Sequence, residues 1–286
     1  MSYNHKLIND LTWSIASPSL VENTLFDHPL ILNSAWGQQQ VQSREQALLS
    51  EDRNPANIQQ YFSSKPDFRL GHYFENLVAY WFQIHPDYEI LEKNKLIHST
   101  EDNRTLGEID LLLNDLPNHR IIHLEVAVKF YLNVKYKEQE YWFGTNLNDR
   151  LDLKQQRLIN HQINISDLDT EYLVDEKHIL LKGRLFSYSP TLTDNNIWMT
   201  VSDFTRLQDQ HSQWLLLEKP YWLSEIEQAN VHFIDSDILS KSKLEEIINH
   251  LDSHPRCIAQ LQDKQEIRRL FICPDNWQEL AIKTLL

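Results

Sequence analysis

The stretch that decides the fold covers residues 105–130 and reads TLGEIDLLLNDLPNHRIIHLEVAVKF. Residues 105–113 and 121–130 alternate between polar and apolar side chains, and the turn-forming segment NDLPN separates them. Because successive side chains of a strand point to opposite faces, each run has one strongly apolar face. The pattern predicts an antiparallel hairpin whose two polar faces lie on the same side of a sheet.

The polar faces of this predicted hairpin carry several ionisable residues. Glu108 and Asp110 lie on the first strand, and His123, Glu125 and Lys129 lie on the second. A single charged residue on such a face is usually just solvated. Two carboxylates in mid-strand, opposite strongly apolar faces, are expected to lie under a covering helix, where buried carboxylates need partners. We therefore interpret Asp110 and Glu125 as a site, and Glu108 and His123 as its neighbours.

Two neighbouring carboxylates suit one kind of chemistry. Mg²⁺ and Mn²⁺ take oxygen ligands, and Mg²⁺ keeps several waters, so Asp110 and Glu125 could hold an ion and leave room for a phosphate oxygen. Such an ion lowers the pKa of a bound water and offsets charge in phosphodiester cleavage. Lys129 would add a positive charge, and Glu75, on a preceding helix, could orient a water. Lys154 and Gln155 are weaker candidates for phosphate contacts, since surface exposure explains them better.

The pattern extends on both sides of the hairpin. Apolar residues at helical spacing predict a helix over residues 70–82, ended by Pro86, and a strand follows over residues 88–97. After the hairpin we expect an aromatic linker over residues 131–143. The remaining predicted elements are a helix over 149–165, strands over 178–186 and 214–217, a helix over 241–251, and a hairpin of 256–262 with 269–273.

These elements predict an α/β protein with a mixed β-sheet flanked by helices. We expect three segments: an N-terminal helical extension over residues 1–69, a core over 70–187, and a C-terminal α+β extension over 188–286. Only 5 glycines occur in 286 residues, which argues against a glycine-rich nucleotide-binding fold.

Composition limits the partners and the compartment. The net charge is −14, yet residues 104–160 carry 8 acidic and 8 basic side chains, so the acidic excess lies outside the candidate site. Tight binding of DNA through a broad basic face is therefore not expected. Cys257 and Cys273 fit no metal-ligand spacing, and without an export signal we expect a reduced pair. Without an apolar run of membrane-spanning length, a soluble, cytoplasmic protein is expected.

The sequence resembles the PD-(D/E)xK nuclease superfamily at Gly-Glu-Ile-Asp110 and Glu125-Val-Ala-Val-Lys129. The resemblance covers residues 70–187 and implies a restriction-endonuclease-like core. It implies Asp110 and Glu125 as ligands of Mg²⁺ or Mn²⁺, Lys129 as the catalytic lysine, and DNA as the expected partner. The superfamily places its lysine two residues after the glutamate, where this chain has Ala127. Lys129 lies on the same face, roughly 6.6 Å further along the strand, and either reaches back or leaves a degenerate site.

A closer resemblance covers most of the chain. EVAVKFYL at residues 125–132, NDRLDLK at 148–154 and KGRLF at 182–186 are similar to the bacterial family called domain of unknown function 1853. This resemblance implies that the chain has relatives in that family, but it does not imply a substrate.

Three functional hypotheses follow. The first is a metal-dependent DNA nuclease in repair, recombination or defence. The second is a catalytically degenerate module that keeps the fold and binds nucleic acid or a protein. The third is a zinc deaminase, since His123-Leu-Glu125 matches H-x-E, but its P-C-x-x-C partner is absent and we discount it. A homodimer is left open, and no membrane partner is expected.

Overall fold

The computed structural model describes residues 3–64, 69–99, 101–168, 171–192, 194–207, 213–226, 238–239 and 254–286. It is an α/β protein with a mixed sheet and flanking helices, as the sequence predicts. The chain forms two compact units, each discontinuous in sequence. The first unit comprises Leu7–Lys129 and Asp152–Gly183, and the second comprises Met1–Lys6, Phe130–Leu151 and Arg184–Leu286. The three-segment division stays a prediction.

Helices precede the sheet of the first unit. In order they are α1 Lys6–Ala16, α2 Ser34–Ser43, α3 Glu45–Arg53, α4 Ala56–Ser63 and α5 Leu70–Ile84. The predicted periodicity of α5 is confirmed, because Phe74, Leu77, Val78 and Trp81 are all buried. The helix ends where His85 takes an extended conformation, which the following proline imposes on its neighbour.

Strands and two further helical segments complete the first unit and begin the second. They are β1 Tyr88–His98, β2 Thr105–Asp115, β3 Arg120–Tyr136, β4 Gln139–Gly144, α6 Leu151–Asn160, a 3₁₀ helix Gln162–Leu168 and β5 Glu176–Tyr188. The strand order in the first unit is β1-β2-β3-β5, and β1, β2 and β3 are antiparallel neighbours. Both β3 and β5 start in the first unit and end in the second.

The predicted hairpin is β2 and β3. Leu111 pairs with Leu124 and Leu113 pairs with Ile122, and all four side chains are buried. This register is the one that the alternating pattern requires, because a slip by one residue would turn the apolar side chains to the opposite face.

One glycine brings β3 and β5 unusually close together. Gly183 has a φ of +145°, and a Cβ atom at this position would lie 1.7 Å from the carbonyl oxygen of Lys129. Any other residue would therefore clash with the backbone of β3 and adopt a strained φ. Gly183 fixes the backbone of the strand segment that carries Lys129.

The second unit contains the short elements of the C-terminal part. They are β6 Asn196–Thr200, α7 Val201–Leu207, β7 Gln213–Leu216, β8 Ile238–Leu239, β9 Arg256–Gln262, β10 Gln265–Cys273 and α8 Trp277–Lys283. Its sheet is mixed, since β10 is parallel to β6 and antiparallel to β9. Side chains from β6, α7, β7, β9 and β10 form one hydrophobic core. Its buried residues include Met199, Phe204, Trp214, Ile258 and Leu270.

Some sequence predictions were wrong in detail. The aromatic linker is a hairpin, because β3 continues to Tyr136 and turns through Lys137 and Glu138 into β4. Both turn residues have positive φ, the geometry of the tight turns that join twisted strands. The helix predicted over 149–165 ends at Asn160, and a 3₁₀ helix follows. The helix predicted over 241–251 lies outside the described residues.

Two further observations concern the cysteines and the helices. Cys257 and Cys273 are both free and buried, as a reduced pair would be. No helix in the described part of the chain is long and apolar enough to cross a membrane.

Candidate functional site

The β2–β3 hairpin places Asp110 beside β3 by a direct contact. The paired residues run from Asp115 and Arg120 to Leu111 and Leu124. At the next position along β2, Oδ2 of Asp110 accepts a hydrogen bond of 2.8 Å from the backbone N–H of Val126. The side chain of Asp110 therefore lies against the part of β3 that carries Glu125.

The electrostatics of Asp110 are strongly perturbed. Burial, and then the negative charge of Glu125, raises the pKa of the Asp110 carboxyl to about 8. Glu75 and Glu108 raise the pKa further, while the Val126 N–H opposes them. The pKa of Asp110 is thus influenced by carboxylates on α5, β2 and β3. Two carboxylates close together disfavour each other's charged form unless a cation compensates for the charge.

Glu125 is held by a buried hydrogen-bond network. Oε1 of its fully buried carboxylate lies 2.9 Å from Nε2 of His123, and Oε2 accepts a bond of 3.2 Å from Nε2 of Gln162. Nδ1 of His123 lies 3.0 Å from Oγ of Ser166. The 3₁₀ helix supplies both outer partners, so a covering helical segment does meet this face of β3.

The network shows which predictions about neighbours were incomplete. The sequence predicts His123 only as a neighbour of the site, and the structure shows that it is fully buried and directly contacts Glu125. Gln162 and Ser166 were missed, because a helix predicted to continue through 165 gives no reason for either side chain to turn inward. Their polarity at the buried end of that segment was the only available indication.

Glu75 and Lys93 join the same group of charges. Burial raises the pKa of Glu75; His72, Lys93 and Arg69 oppose this shift, and Glu108 adds to it. Burial lowers the pKa of Lys93, and the charge of Glu75 opposes that shift. Nζ of Lys93 donates a hydrogen bond of 2.6 Å to Oδ1 of Asn76 on α5. Lys93 could not be identified from the sequence, because EKNK at residues 92–95 of β1 resembles an ordinary solvated strand.

The remaining predicted residues, Lys129, Lys154 and Gln155, lie in three different environments. Lys129 is half-buried on β3, four residues beyond Glu125. Nζ of Lys154 donates a hydrogen bond of 2.9 Å to Oε1 of Gln162, so Lys154 lies one side chain away from Glu125. Gln155 instead donates to the backbone carbonyl of Phe26. The structure therefore brings Lys154 towards the network and engages Gln155 elsewhere.

Comparison with known proteins places the chain in a family. The model described as "Domain of unknown function (DUF1853)" matches residues 9–273, which is most of the chain. The chain belongs to this family. No curated protein and no solved structure matches it. The match confirms the closer of the two resemblances seen in the sequence, and the candidate site of this DUF1853 protein lies entirely within the matched residues.

The donor set of this DUF1853 protein suits a small divalent cation only in part. Among the described residues, no group of three or more His, Cys, Asp or Glu side chains is arranged to hold a metal ion. The two carboxylates Asp110 and Glu125 offer oxygen ligands, and Mg²⁺ is often held by one or two carboxylates together with waters and phosphate oxygens. Asp110 fits this role better, because both oxygens of Glu125 already have partners in the chain.

Proposed function

We propose that this protein is a metal-dependent nuclease that hydrolyses phosphodiester bonds of DNA. The supporting observation is the raised pKa of Asp110 beside Glu125. Perturbed carboxylates that influence one another from neighbouring strands are typical of sites that bind a cation or move a proton. The helix, hairpin and following strand also occur in the order of a restriction-endonuclease-like core, which we propose for residues 70–187.

Each residue has a definite part in this proposal. Asp110 and Glu125 hold Mg²⁺ or Mn²⁺, which supplies an activated water and charge neutralisation when it is bound. His123 and Gln162 keep the carboxylate of Glu125 in one orientation, which a site of this kind requires. Glu75 orients a water near Asp110. A lysine offsets the charge of the scissile phosphate, and Lys129 and Lys93 are the two candidates.

The second hypothesis, a degenerate module that binds nucleic acid or protein, is supported by one observation. Each oxygen of the Glu125 carboxylate has a side-chain partner, His123 for Oε1 and Gln162 for Oε2, as expected for a structural network. Ala127 at the position of the superfamily lysine agrees with this alternative. Under this second hypothesis, the chain keeps the nuclease-like fold but no longer binds a metal ion.

A cleavage assay with matched variants separates the two hypotheses. Purified full-length protein is incubated with single-stranded, duplex and branched DNA, and with RNA, in Mg²⁺ or Mn²⁺. We expect cleavage of DNA by the wild type and by Asp87→Asn, an exposed control, and its loss in Asp110→Asn. Cleavage that persists in Asp110→Asn removes this site from the proposal.

If the wild type cleaves none of these substrates, calorimetric titration with Mn²⁺ tests metal binding directly. Binding that Asp110→Asn abolishes supports a metal site whose substrate is not among those tested. Absence of metal binding, together with stable association with DNA, favours the degenerate module.

A further inference from the structure

A line of hydrogen bonds reaches Glu125 from helix α6. Nζ of Lys154 donates a bond of 2.9 Å to Oε1 of Gln162. Nε2 of the same amide donates a bond of 3.2 Å to Oε2 of Glu125. All three residues belong to the first unit. The half-buried Lys154 is therefore joined to the fully buried carboxylate of Glu125 through one side-chain amide.

The donors and acceptors along this line allow one orientation of the Gln162 amide. An ammonium group donates hydrogen bonds and accepts none, whereas a carboxylate accepts them and donates none. The amide must therefore turn its oxygen towards Lys154 and its nitrogen towards Glu125. A half-turn of the amide would set two donors against each other at Lys154 and two acceptors against each other at Glu125.

The backbone near Gln162 is held in place, but it does not choose between the two amide orientations. Leu151 and Leu158 anchor α6 on either side of Lys154, and Ile163 anchors the 3₁₀ helix beside Gln162; all three are buried. The last torsion of a glutamine side chain has only a broad, roughly two-fold preference. A hydrogen-bond partner must therefore select the orientation, and Lys154 supplies a charged donor for this purpose.

The same bonds leave Glu125 able to hold a cation. A carboxylate has about four acceptor positions on its two oxygens. The contacts with His123 and Gln162 use one position on each oxygen. Partners that orient a ligand side chain in this way typically change metal affinity by about 10- to 100-fold when they are removed.

We propose that Lys154 is a positioning residue, which acts through the Gln162 amide to hold the Glu125 carboxylate for the cation. The identity of that cation rests on the proposed function, whereas the orientation of the amide by Lys154 exists without a metal. This role differs from a contact with phosphate, for which the Lys154 ammonium would have to leave Oε1 of Gln162.

The orientation of the amide can be measured in the metal-free protein. In ¹⁵N-labelled full-length protein, the side-chain NH₂ signal of Gln162 is assigned by its loss in Gln162→Ala. We expect one of its protons to be shifted downfield and protected from exchange in the wild type and in Lys154→Arg, and this shift to be lost in Lys154→Met. Arg157→Met, which removes an exposed cation from the same helix, should leave the signal unchanged. An unchanged signal in Lys154→Met overturns the inference.

Calorimetric titration with Mn²⁺ tests the consequence for the site. Lys154→Met should weaken binding about tenfold, Lys154→Arg should restore most of the affinity, and Arg157→Met should bind as the wild type does. In a Gln162→Ala background, Lys154→Met should cause no further loss, because residues that act through one another are not additive. Equal losses in both backgrounds would show that Lys154 does not act through Gln162 and would overturn the inference.

Two further results separate this role from its alternatives. An unaltered Mn²⁺ affinity in Lys154→Met, together with a raised KM for DNA, would make Lys154 a phosphate contact and would overturn the inference. A wild type that binds no Mn²⁺ would overturn the metal site and, with it, the role of Lys154 at that site. A Gln162 signal that still depends on Lys154 would then identify the failure as that of the proposed function.

Discussion

Replacement of Asp110 by asparagine should stabilise the protein near neutral pH, although it removes a candidate catalytic group. The pKa of Asp110 rises from 3.8 to about 8 on folding. Between these values the folded state holds a proton that the unfolded state has lost, so this group makes stability fall as pH rises from about 4 to 8. Asparagine carries no such charge, and its carbonyl oxygen can still accept the bond from the Val126 N–H.

The magnitude follows from the same shift. At pH 7, which lies about three pH units above the unfolded pKa of 3.8, the penalty corresponds to ~4 kcal/mol at ~1.4 kcal/mol per unit. Asp110 keeps some contact with solvent, which screens the penalty, so we expect a gain of ~2 kcal/mol in the free energy of unfolding. The gain should nearly vanish at pH 4, where the carboxyl is protonated in the folded state and about half protonated in the unfolded state.

Urea denaturation at pH 4, 5.5, 7 and 8.5 measures this difference. The exposed control Asp87→Asn should follow the wild type at every pH. Saturating Mg²⁺ should stabilise the wild type more than Asp110→Asn, since a ligand that binds only the folded state raises its stability. A variant less stable than the wild type at pH 8.5, or a difference independent of pH, would refute the reasoning.

Three further changes test other parts of the structure. Gly183→Ala should cost more than ~2 kcal/mol in urea denaturation, because its Cβ would meet the Lys129 carbonyl, and a mild effect would contradict that approach. Glu266→Gln should cost ~3 kcal/mol by leaving the buried Arg269 guanidinium without its ion pair, and an unchanged midpoint would show that the pair is dispensable. In a cleavage assay, Lys93→Met should lower kcat about 10²-fold, a larger loss than Lys129→Met causes, because the charges of Lys93 and Glu75 interact. A larger loss in Lys129→Met would assign the catalytic role to Lys129.

The parts of the fold that the sequence predicted well are those with long, regular patterns. Helix α5 and the hairpin of β2 and β3 bury apolar side chains at their own period, and each is long enough for that period to be unambiguous. Strands β4 and β6 have only six and five residues and gave no usable period. Pairing with neighbouring strands stabilises both: β4 pairs with β3 across a tight turn, and β6 pairs with β10, about 70 residues further along the chain. The short segments themselves do not record these partners.

The sequence predicts which strand face carries the candidate site, but it does not predict the hydrogen-bond partners from other elements. Alternation places His123 and Glu125 on one face, and the contact between them confirms it. Gln162 and Ser166, which complete the network, lie 37 residues from Glu125 and 43 from His123 respectively. Contacts at such separations arise from tertiary packing, which also ends α6 early and selects a 3₁₀ helix at this position.

The structure also distinguishes two acids that the sequence treats alike. Glu125 has a partner for each oxygen, His123 and Gln162, so the chain itself satisfies the buried carboxylate. Asp110 has one bond, from the Val126 N–H to Oδ2, and none to Oδ1 from the described residues. Asp110 is only partly buried, so Oδ1 is open to solvent, a proton or a cation, whereas the carboxylate of Glu125 is fully buried. Of the two acids, Asp110 is therefore the one better placed to take a further partner, which under the proposed function would be the cation. The charge of Glu125 raises the pKa of Asp110 and so favours the protonated form of Asp110 where no cation is bound.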